Sequence, residues 1–403
     1  MRITFLLTQS LESPSGLGRY GPLAKELARL GHSVRVLALH PDYRALETRR
    51  FTRDGVQVHY VAQMHVQKRA NTKRYFGPLR LSWVIGWATL RLSWFALRSP
   101  SDVYHLGKPQ PMNGVAGWIL HVLGQRVYLD CDDYEAASNR FGGAWQRRIV
   151  AWFEDRTPKI AAGITVNTSY LAQRLEGLGV PAERIVYVPN GIDRARFAAF
   201  ERLDADAPEV QRLRDGLELG DRRVVLYVGS LSLASHPVDL LLDAFEGVRH
   251  AVPDAVLLLV GGGEDYGTLR ASAKDRGLGD AVRFAGRVDP ERVPVYYRLA
   301  EVSVDPVHDD WTARARSPLK LFESLAVGTP VVTGDVGDRR ACLGGAGLLV
   351  APGDAAALAD GIARVLQHPG EAARMREAAA SRRNRYHWDV LVHEFERVYD
   401  ERG

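Results

Sequence analysis

The stretch ARSPLKLFESLAVGTPVV, residues 315–332, decides how this 403-residue chain is read. Ser317 is a good helix N-cap and Pro318 suits the first helical position. That start puts Lys320 at the third helical position, where a capping box would want Glu. A cation there opposes the helix dipole by a few tenths of a kcal/mol. The conflict disappears if an anion binds, because the free N–H groups of the helix start and Lys320 together would cradle a phosphate. Arg314 and Arg316 lie just upstream and could add charge. Glu323 is one turn deeper, placed to accept hydrogen bonds from ribose hydroxyls beside such a cradle. The alternative is an i, i+3 salt bridge between Lys320 and Glu323 on an exposed helix. Against it stand Leu319, Leu321, Phe322, Leu325, Ala326 and Val327, since a helix this apolar is buried and buried charges need a reason.

Outward from this stretch, apolar runs alternate with helical patterns. ITFLL (3–7), SVRVLAL (33–39), DVYHL (102–106), RVYLD (126–130) and GITVN (163–167) read as strands in the first half. RVVLYVG (223–229), AVLLLVG (255–261), AVRFAG (281–286), EVSVDP (301–306) and PVVTG (330–334) repeat the rhythm in the second. RYGPLAKELARLG (19–31) reads as a helix closed by Gly31 in a left-handed cap. Strands alternating with helices imply parallel sheets covered on both faces. So many strands exceed one comfortable core, so the expectation is α/β with two doubly wound, Rossmann-like domains. The turn cluster Pro189-Asn190-Gly191 marks the boundary, and the charged stretch to Asp221 is the best linker candidate. The expected division is 1–190, 191–384 and a final amphipathic helix within 385–403.

Composition fits a soluble globular class, with 46% apolar and 25% charged residues. Two cysteines, Cys131 and Cys342, argue against a disulfide scaffold and fit a reducing cytosol. The opening MRITFLLTQS has too short an apolar run for a signal peptide, and no run of about 20 apolar residues suggests a spanning helix. The net charge of +5 says less than its distribution. No acid lies between Asp54 and Asp102, whereas Lys68, Arg69, Lys73, Arg74, Arg80, Arg91 and Arg98 do. That asymmetry favours an anionic partner surface.

GLGRYG (16–21) matches the dinucleotide fingerprint letter for letter, but QSLESPS separates it from the strand. The tip of the second strand, Ala38-Leu39-His40, also carries no ribose-binding acid. A nicotinamide-dependent oxidoreductase is therefore a weak alternative. The other readings are a flexible Gly/Ser loop, or a loop whose glycines let backbone N–H groups approach a phosphate.

At this point SPLKLFESLAVGTPVV resembles the donor-site motif of family-4 glycosyltransferases of GT-B fold. GLGRYGPLAKELARLGHSVRVL resembles their N-terminal loop, helix and second strand. VPNGID, VVLYVGSLS, VDLLLDAF and AVRFAGRV follow in family order, so the resemblance spans nearly the whole chain. It implies two Rossmann-like domains facing a cleft, the C-terminal one holding a nucleotide-sugar and the N-terminal one the acceptor. It also implies transfer with retained anomeric configuration, and a last helix that returns to the first domain. By the resemblance Glu323 binds the donor ribose, and Ser317, Pro318 and Leu319 meet the diphosphate. Gly16, with Gly18 and Arg19 of the same loop, faces phosphate and sugar. Ser230 lies in the loop that usually carries an arginine, and Val288 reads the base through its backbone. Three family features are missing. Ala315 stands where a second acid is usual, Gly229-Ser230-Leu231 lacks the usual arginine, and Ser235 or His236 stands near the place of the usual downstream lysine. Lys320, with Arg314 and Arg316, is the expected replacement for the lost phosphate-binding cations. A non-catalytic nucleotide-sugar or glycan-binding protein on the same scaffold is the alternative from another class.

In such a reaction negative charge develops on the departing diphosphate, and Lys320 with the helix N-terminus would stabilise it without a metal. A front-face route lets the leaving phosphate oxygen take the acceptor proton. DCDDYE (130–135) ends a strand, so Asp132 and Asp133 are candidates for the acceptor hydroxyl, with strand-end capping and salt bridges as the alternative. Asp130 and Asp132 also spell a D-x-D metal pattern from a different fold. His105, ending DVYHL, is a further acceptor-side candidate, with a structural histidine as the alternative. PLRLSWVIGWATLRLSWFALR (78–98) fits a helix. At about 100° per residue, Arg80, Arg91 and Arg98 share a stripe within roughly 20°, and Trp83, Trp87 and Trp94 lie within about 60° of it. Leu81, Val84, Ile85, Ala88, Leu92 and Phe95 form a separate face that should pack on the sheet. Trp beside Arg resembles an interfacial anchor, the alternatives being a core helix whose tryptophans bury in the domain and a surface for a polyanionic acceptor. The expected protein is cytoplasmic and peripheral at the inner leaflet. It has no metal and no cofactor beyond the nucleotide-sugar co-substrate, acts on a glycan or lipid-linked acceptor at an anionic membrane surface, and does not bind nucleic acid.

Overall fold

The computed structural model describes residues 1–69, 72–139, 141–198 and 206–400, without the side chains of Lys68, Arg69, Thr72 and Lys73. Three residues of the basic stretch, Lys68, Arg69 and Lys73, thus have side chains outside the described set, and so do residues 401–403 of the expected last helix. The chain forms two compact units. One comprises residues 1–191, 315–317 and the chain from Trp388, and the other 192–314 and 318–387.

The first unit is built on β1 (Arg2–Leu7), β2 (Ser33–His40), β3 (Arg50–Arg53), β4 (Val56–Gln63), β7 (Val103–Gly107), β8 (Val127–Cys131), β9 (Gly163–Val166) and β10 (Ile185–Tyr187), with β5 (Val66–Arg69) and β6 (Thr72–Tyr75) as a separate hairpin. The sheet order is β10-β9-β8-β7-β1-β2-β4-β3, and β3 alone runs antiparallel to its neighbour β4. Alternate residues of β1 enter different cores, Ile3, Phe5 and Leu7 one and Leu6 the other. Both faces are therefore covered, as parallel sheets require. Strand order reverses between β1 and β7, the position where doubly wound sheets open a crevice at their carboxyl ends.

The second unit holds β11 (Arg223–Val228), β12 (Ala255–Val260), β13 (Val282–Gly286), β14 (Val302–Asp305), β15 (Val331–Gly334) and β16 (Gly347–Val350). They lie in the order β13-β12-β11-β14-β15-β16, all parallel. Counted within the unit this is 3-2-1-4-5-6, the dinucleotide-fold order, reversing between β11 and β14. All six residues of β12 are buried, which its AVLLLV sequence requires of a central strand.

One buried ion pair organises the carboxyl ends of the first sheet. GLGRY (16–20) is a wide helical turn continuous with the Gly21–Arg29 helix, not a free loop. It turns Arg19 inward, where Nε and Nη2 donate to Asp130 at 2.7 and 2.6 Å. Tyr20 and Thr165 hydroxyls donate to the same carboxylate at 2.9 and 2.6 Å. Nη1 donates to the carbonyl of Val188 at 3.0 Å and to Asn190 Oδ1 at 3.2 Å. The Trp388–Glu396 helix seals this network: its Trp388 donates to Gly18 O at 2.9 Å, and the Arg19 guanidinium lies 5.7 Å from the ring centre. Burial alone would raise the Asp130 pKa, but Arg19 holds it below the usual carboxylate range. Both side chains are at most 1% exposed, so removing one partner leaves an uncompensated buried charge. Arg19→Met is expected to lower the unfolding free energy by about 3–5 kcal/mol, read from the urea midpoint. Arg19→Met/Asp130→Leu should recover most of that loss.

Candidate active site

The site in the second unit starts from Asp305, the last residue of β14, at the point where strand order reverses. The helix that follows spans Leu319–Val327, with Pro318 as its N-cap and no side-chain cap. This corrects the expected start. Pro318 has ψ of 121°, outside the helical range, so Lys320 is the second helical residue rather than the third. Ser317 belongs to the first unit, where its Oγ accepts from the Asn190 N–H at 3.1 Å and its carbonyl from Asn190 Nδ2 at 2.7 Å.

The Lys320 ammonium pairs with Asp305 Oδ1 at 3.0 Å, and Arg339 Nε donates to Oδ2 of the same carboxylate at 2.9 Å. It also lies 4.3 Å from the centre of the Tyr227 ring, within cation–π reach. Burial would push the Asp305 pKa up, but Lys320 and Arg339 hold it well below the usual range. Two cations thus share one carboxylate at the end of β14. The i, i+3 alternative does not hold, because Glu323 serves other partners. It is buried, and it accepts from Arg196 Nη2 at 3.3 Å and from the Tyr297 hydroxyl at 3.1 Å. Arg314, expected to help with phosphate, is held by Asp309 at 2.6 and 2.9 Å, while Arg316 is half-buried in the first unit.

Around the lysine, glycines bring loops into near contact. A Cβ on Gly261, where φ is +145°, would lie 1.8 Å from Gly229 O, and one on Gly263 would lie 2.1 Å from Leu231 O. Only glycine permits this nesting of the loops after β11 and β12. The Ser230 carbonyl in that nest accepts from the Tyr227 hydroxyl at 2.9 Å. Val288, just past β13, is half-buried against the core of the same unit, and Leu319 is half-buried at the helix start.

In the first unit, Gly16 is buried because the loop after β1 folds back on it. A Cβ there would meet Ser10 O at 2.3 Å. Arg19, expected to face the donor, is committed to Asp130, which corrects that assignment. Asp130 is in turn filled by Arg19, Tyr20 and Thr165, so its oxygens are not offered to a D-x-D metal. Lys108 at the end of β7 adopts a left-handed conformation, φ +73°, that costs a non-glycine residue of order 1–3 kcal/mol. Its ammonium meets Glu135 at 2.7 Å and Asp132 at 3.0 Å. Burial, with Asp130 and Glu135 nearby, pushes the Asp132 carboxyl up to about 6 despite Lys108. Asp133 is half-buried and accepts from the Tyr134 N–H at 3.0 Å. His105 is fully buried among Phe5, Tyr128, Phe395 and Tyr399, with Nδ1 2.9 Å from the Tyr399 hydroxyl. Burial pushes its pKa down to about 4. It has no exposed face for an acceptor, so the structural alternative describes it.

The Pro78–Leu97 helix buries Ala88, Leu92, Ser93 and Ala96 and exposes an apolar stripe. Along that stripe Leu79, Trp83, Trp87, Leu90, Trp94 and Leu97 are 45–91% exposed. Trp83 and Trp87 stack with ring centres 6.3 Å apart. Arg80 is exposed over Phe76, whereas Arg91 is half-buried and donates to Val61 O at 3.1 Å, so it is not a free surface charge. Among the described residues, no helix is long and apolar enough to cross a membrane.

Sequence reasoning missed Asp305, Arg339, Arg196, Tyr227, Tyr297 and Lys108. The three-glycine run after AVLLLV was the one local signal available, since a β-strand followed by consecutive glycines marks a close backbone approach.

Comparison with known proteins follows the same division. Residues 210–382 match a family model described as glycosyl transferases group 1, and residues 15–191 match a glycosyl transferase 4-like domain. A phosphatidyl-myo-inositol mannosyltransferase of Mycobacterium leprae is 28% identical over 99% of this chain and 96% of its own length. A D-inositol 3-phosphate glycosyltransferase of Acidothermus cellulolyticus is 34% identical over 63% of this chain and 56% of its own. Among solved structures, a sucrose-phosphate synthase from Thermosynechococcus elongatus superposes with a TM-score of 0.77 at 19% identity, covering 99% of this chain and 98% of that one. Anabaena HepE in complex with UDP superposes with a TM-score of 0.71 at 16% identity, covering 99% of both chains. With Rossmann-like sheets in both units and family matches over most of its length, the chain belongs to the family-4-like glycosyltransferases of GT-B fold.

Proposed function

We propose that this glycosyltransferase moves a sugar from a nucleotide-sugar to a hydroxyl of a lipid-linked acceptor, with retention of anomeric configuration and without a metal. The observation that carries this reading is the Lys320 ammonium, buried beside the helix start at the end of β14 and sharing the Asp305 carboxylate with Arg339. Breaking the sugar–phosphate bond puts negative charge on the departing diphosphate. A preorganised cation in a water-poor pocket stabilises that charge more than water would. Lys320 and the free N–H groups from Leu319 onward supply it. Glu323, held by Arg196 and Tyr297, keeps its carboxylate in one orientation for the donor ribose. Pro318 contributes the extended turn that aims the helix start.

On the acceptor side, Asp132 carries the role of binding the reacting hydroxyl, with Lys108 orienting it. The inositol-containing names of the relatives support an acceptor that carries inositol, and the Trp-lined Pro78–Leu97 helix supports work at an anionic membrane surface. The direct test incubates the protein with GDP-, UDP-, ADP- and dTDP-sugars and with vesicles containing phosphatidylinositol. Glycolipid product from one donor is the expected result. Donor binding without transfer to any acceptor would favour a non-catalytic binding protein instead.

Three outcomes follow from the assigned roles. Lys320→Ala should cut kcat by about 10²-fold or more. Its far-UV spectrum should stay native, because Asp305 keeps Arg339. Asp132 must be ionised to accept a hydrogen bond from the acceptor, so kcat/KM should fall as pH drops through about 6. That acidic limb should vanish in Asp132→Asn. Replacing Trp83 and Trp87 with Ser should release the protein from anionic vesicles in a co-sedimentation assay.

A further inference from the structure

A second recess lies in the first unit, at the amino ends of β2 and β4, on the side reached by the carboxyl end of the Pro78–Leu97 helix. Its volume is about 500 Å³, the size of small-ligand pockets. Parallel doubly wound sheets bind their substrates at the carboxyl ends of strands, so this recess is separate from the site described above. Arg35 from β2, Arg50 from β3 and Arg98 from the helix end all line it, together with Gln57, His59 and Trp94. Among the described residues, no acidic one does.

Among the described residues, other arginines of the molecule have acid partners that these three lack. Nearby Arg2 is paired with Asp102 at 2.7 Å, and elsewhere Arg364 is paired with Glu371 at 2.8 Å. Arg35 instead reaches only the neutral Gln57 Oε1, at 3.3 and 3.1 Å. Arg98 rests on the Trp94 ring, 4.2 Å from its centre. None of the three has a carboxylate partner among the described residues. His59, edge-on to Phe95 at 4.5 Å, feels the result. Burial first, then Arg50, Arg91 and Arg35, push its pKa down to about 4. Unbalanced like charges around one hollow repel one another, and an anion with several acceptor oxygens relieves that repulsion.

We propose that this recess binds a phosphate group, held bidentately by Arg35 and Arg50 and closed by Arg98 over Trp94. Guanidinium forks match phosphate oxygens in geometry as well as charge. Trp94 both lines the recess and ends the exposed stripe of Trp83 and Trp87. The phosphate can therefore come from a lipid headgroup at the surface on which the helix rests, or from a soluble phosphate ester.

Two probes separate these sources. One is glycerol phosphate in solution, followed by the His59 ring resonances in NMR. The other is co-sedimentation with vesicles of phosphatidylcholine alone or equimolar with phosphatidylglycerol. Phosphate between the arginines should raise the His59 pKa saturably. Arg35→Gln/Arg50→Gln should weaken binding about tenfold or more, while Lys320→Ala should leave it unchanged. That last variant separates this site from the donor site, so failure of the transferase mechanism would not count against the recess. A response to glycerol phosphate that the arginine variant abolishes assigns the site to soluble esters. A loss confined to the anionic vesicles assigns it to headgroups. No saturable response to either probe, or binding that the double variant leaves intact, overturns the proposal.

Discussion

A single carboxylate at the end of β14, Asp305, accepts two cations that arrive from different directions. One comes from the start of the Leu319–Val327 helix, the other from the Arg339–Leu343 helix. Its position follows from topology, because only at the reversal of strand order do the chain segments after adjacent strands part and leave room beyond their ends. Asp305 gives the Lys320 ammonium, carried on an apolar helix, a buried carboxylate partner. With one carboxylate between them, the two cations are held together rather than driven apart. The arrangement also explains how a helix this apolar tolerates a lysine in its first turn.

The first unit uses a related device at the end of β8. Asp130 fixes Arg19, and through Arg19 the backbone near Val188 and the Trp388 ring. There the charges balance and the network is closed to solvent, so it contributes rigidity rather than reactivity. Two residues further, Asp132 meets a lysine held in a strained backbone conformation, with Glu135 competing for the same ammonium. Such contested charges lie where chemistry is expected, and fully satisfied ones lie where architecture is.

Continuous apolar runs such as AVLLLV and RVVLYV announced the central strands of the second sheet, because burial on two faces leaves no room for polar alternation. Three of the four edge strands were not legible. RFTR (50–53) carries one apolar residue and pairs antiparallel at the border, and IVY (185–187) and GLLV (347–350) are too short to show a period. The tryptophan stripe was visible because its spacing follows the helical repeat within one segment. Lys320 stood out because it breaks a local capping rule. Its partner did not, because Asp305 precedes it by 15 residues and is brought near only by the parallel crossover. Arg19 was misassigned for the same reason. Its acid is 111 residues away, and the glycine letters around it describe close packing of backbone rather than a ligand.

Tyr227 has a consequence that reaches beyond packing. The ring stands beside the Lys320 ammonium, and the hydroxyl of the same ring grips the Ser230 carbonyl in the glycine-nested loop. A rigid aromatic plate thus has the cation at its face and the loop at its tip, so removing that one phenol would disturb both neighbours together.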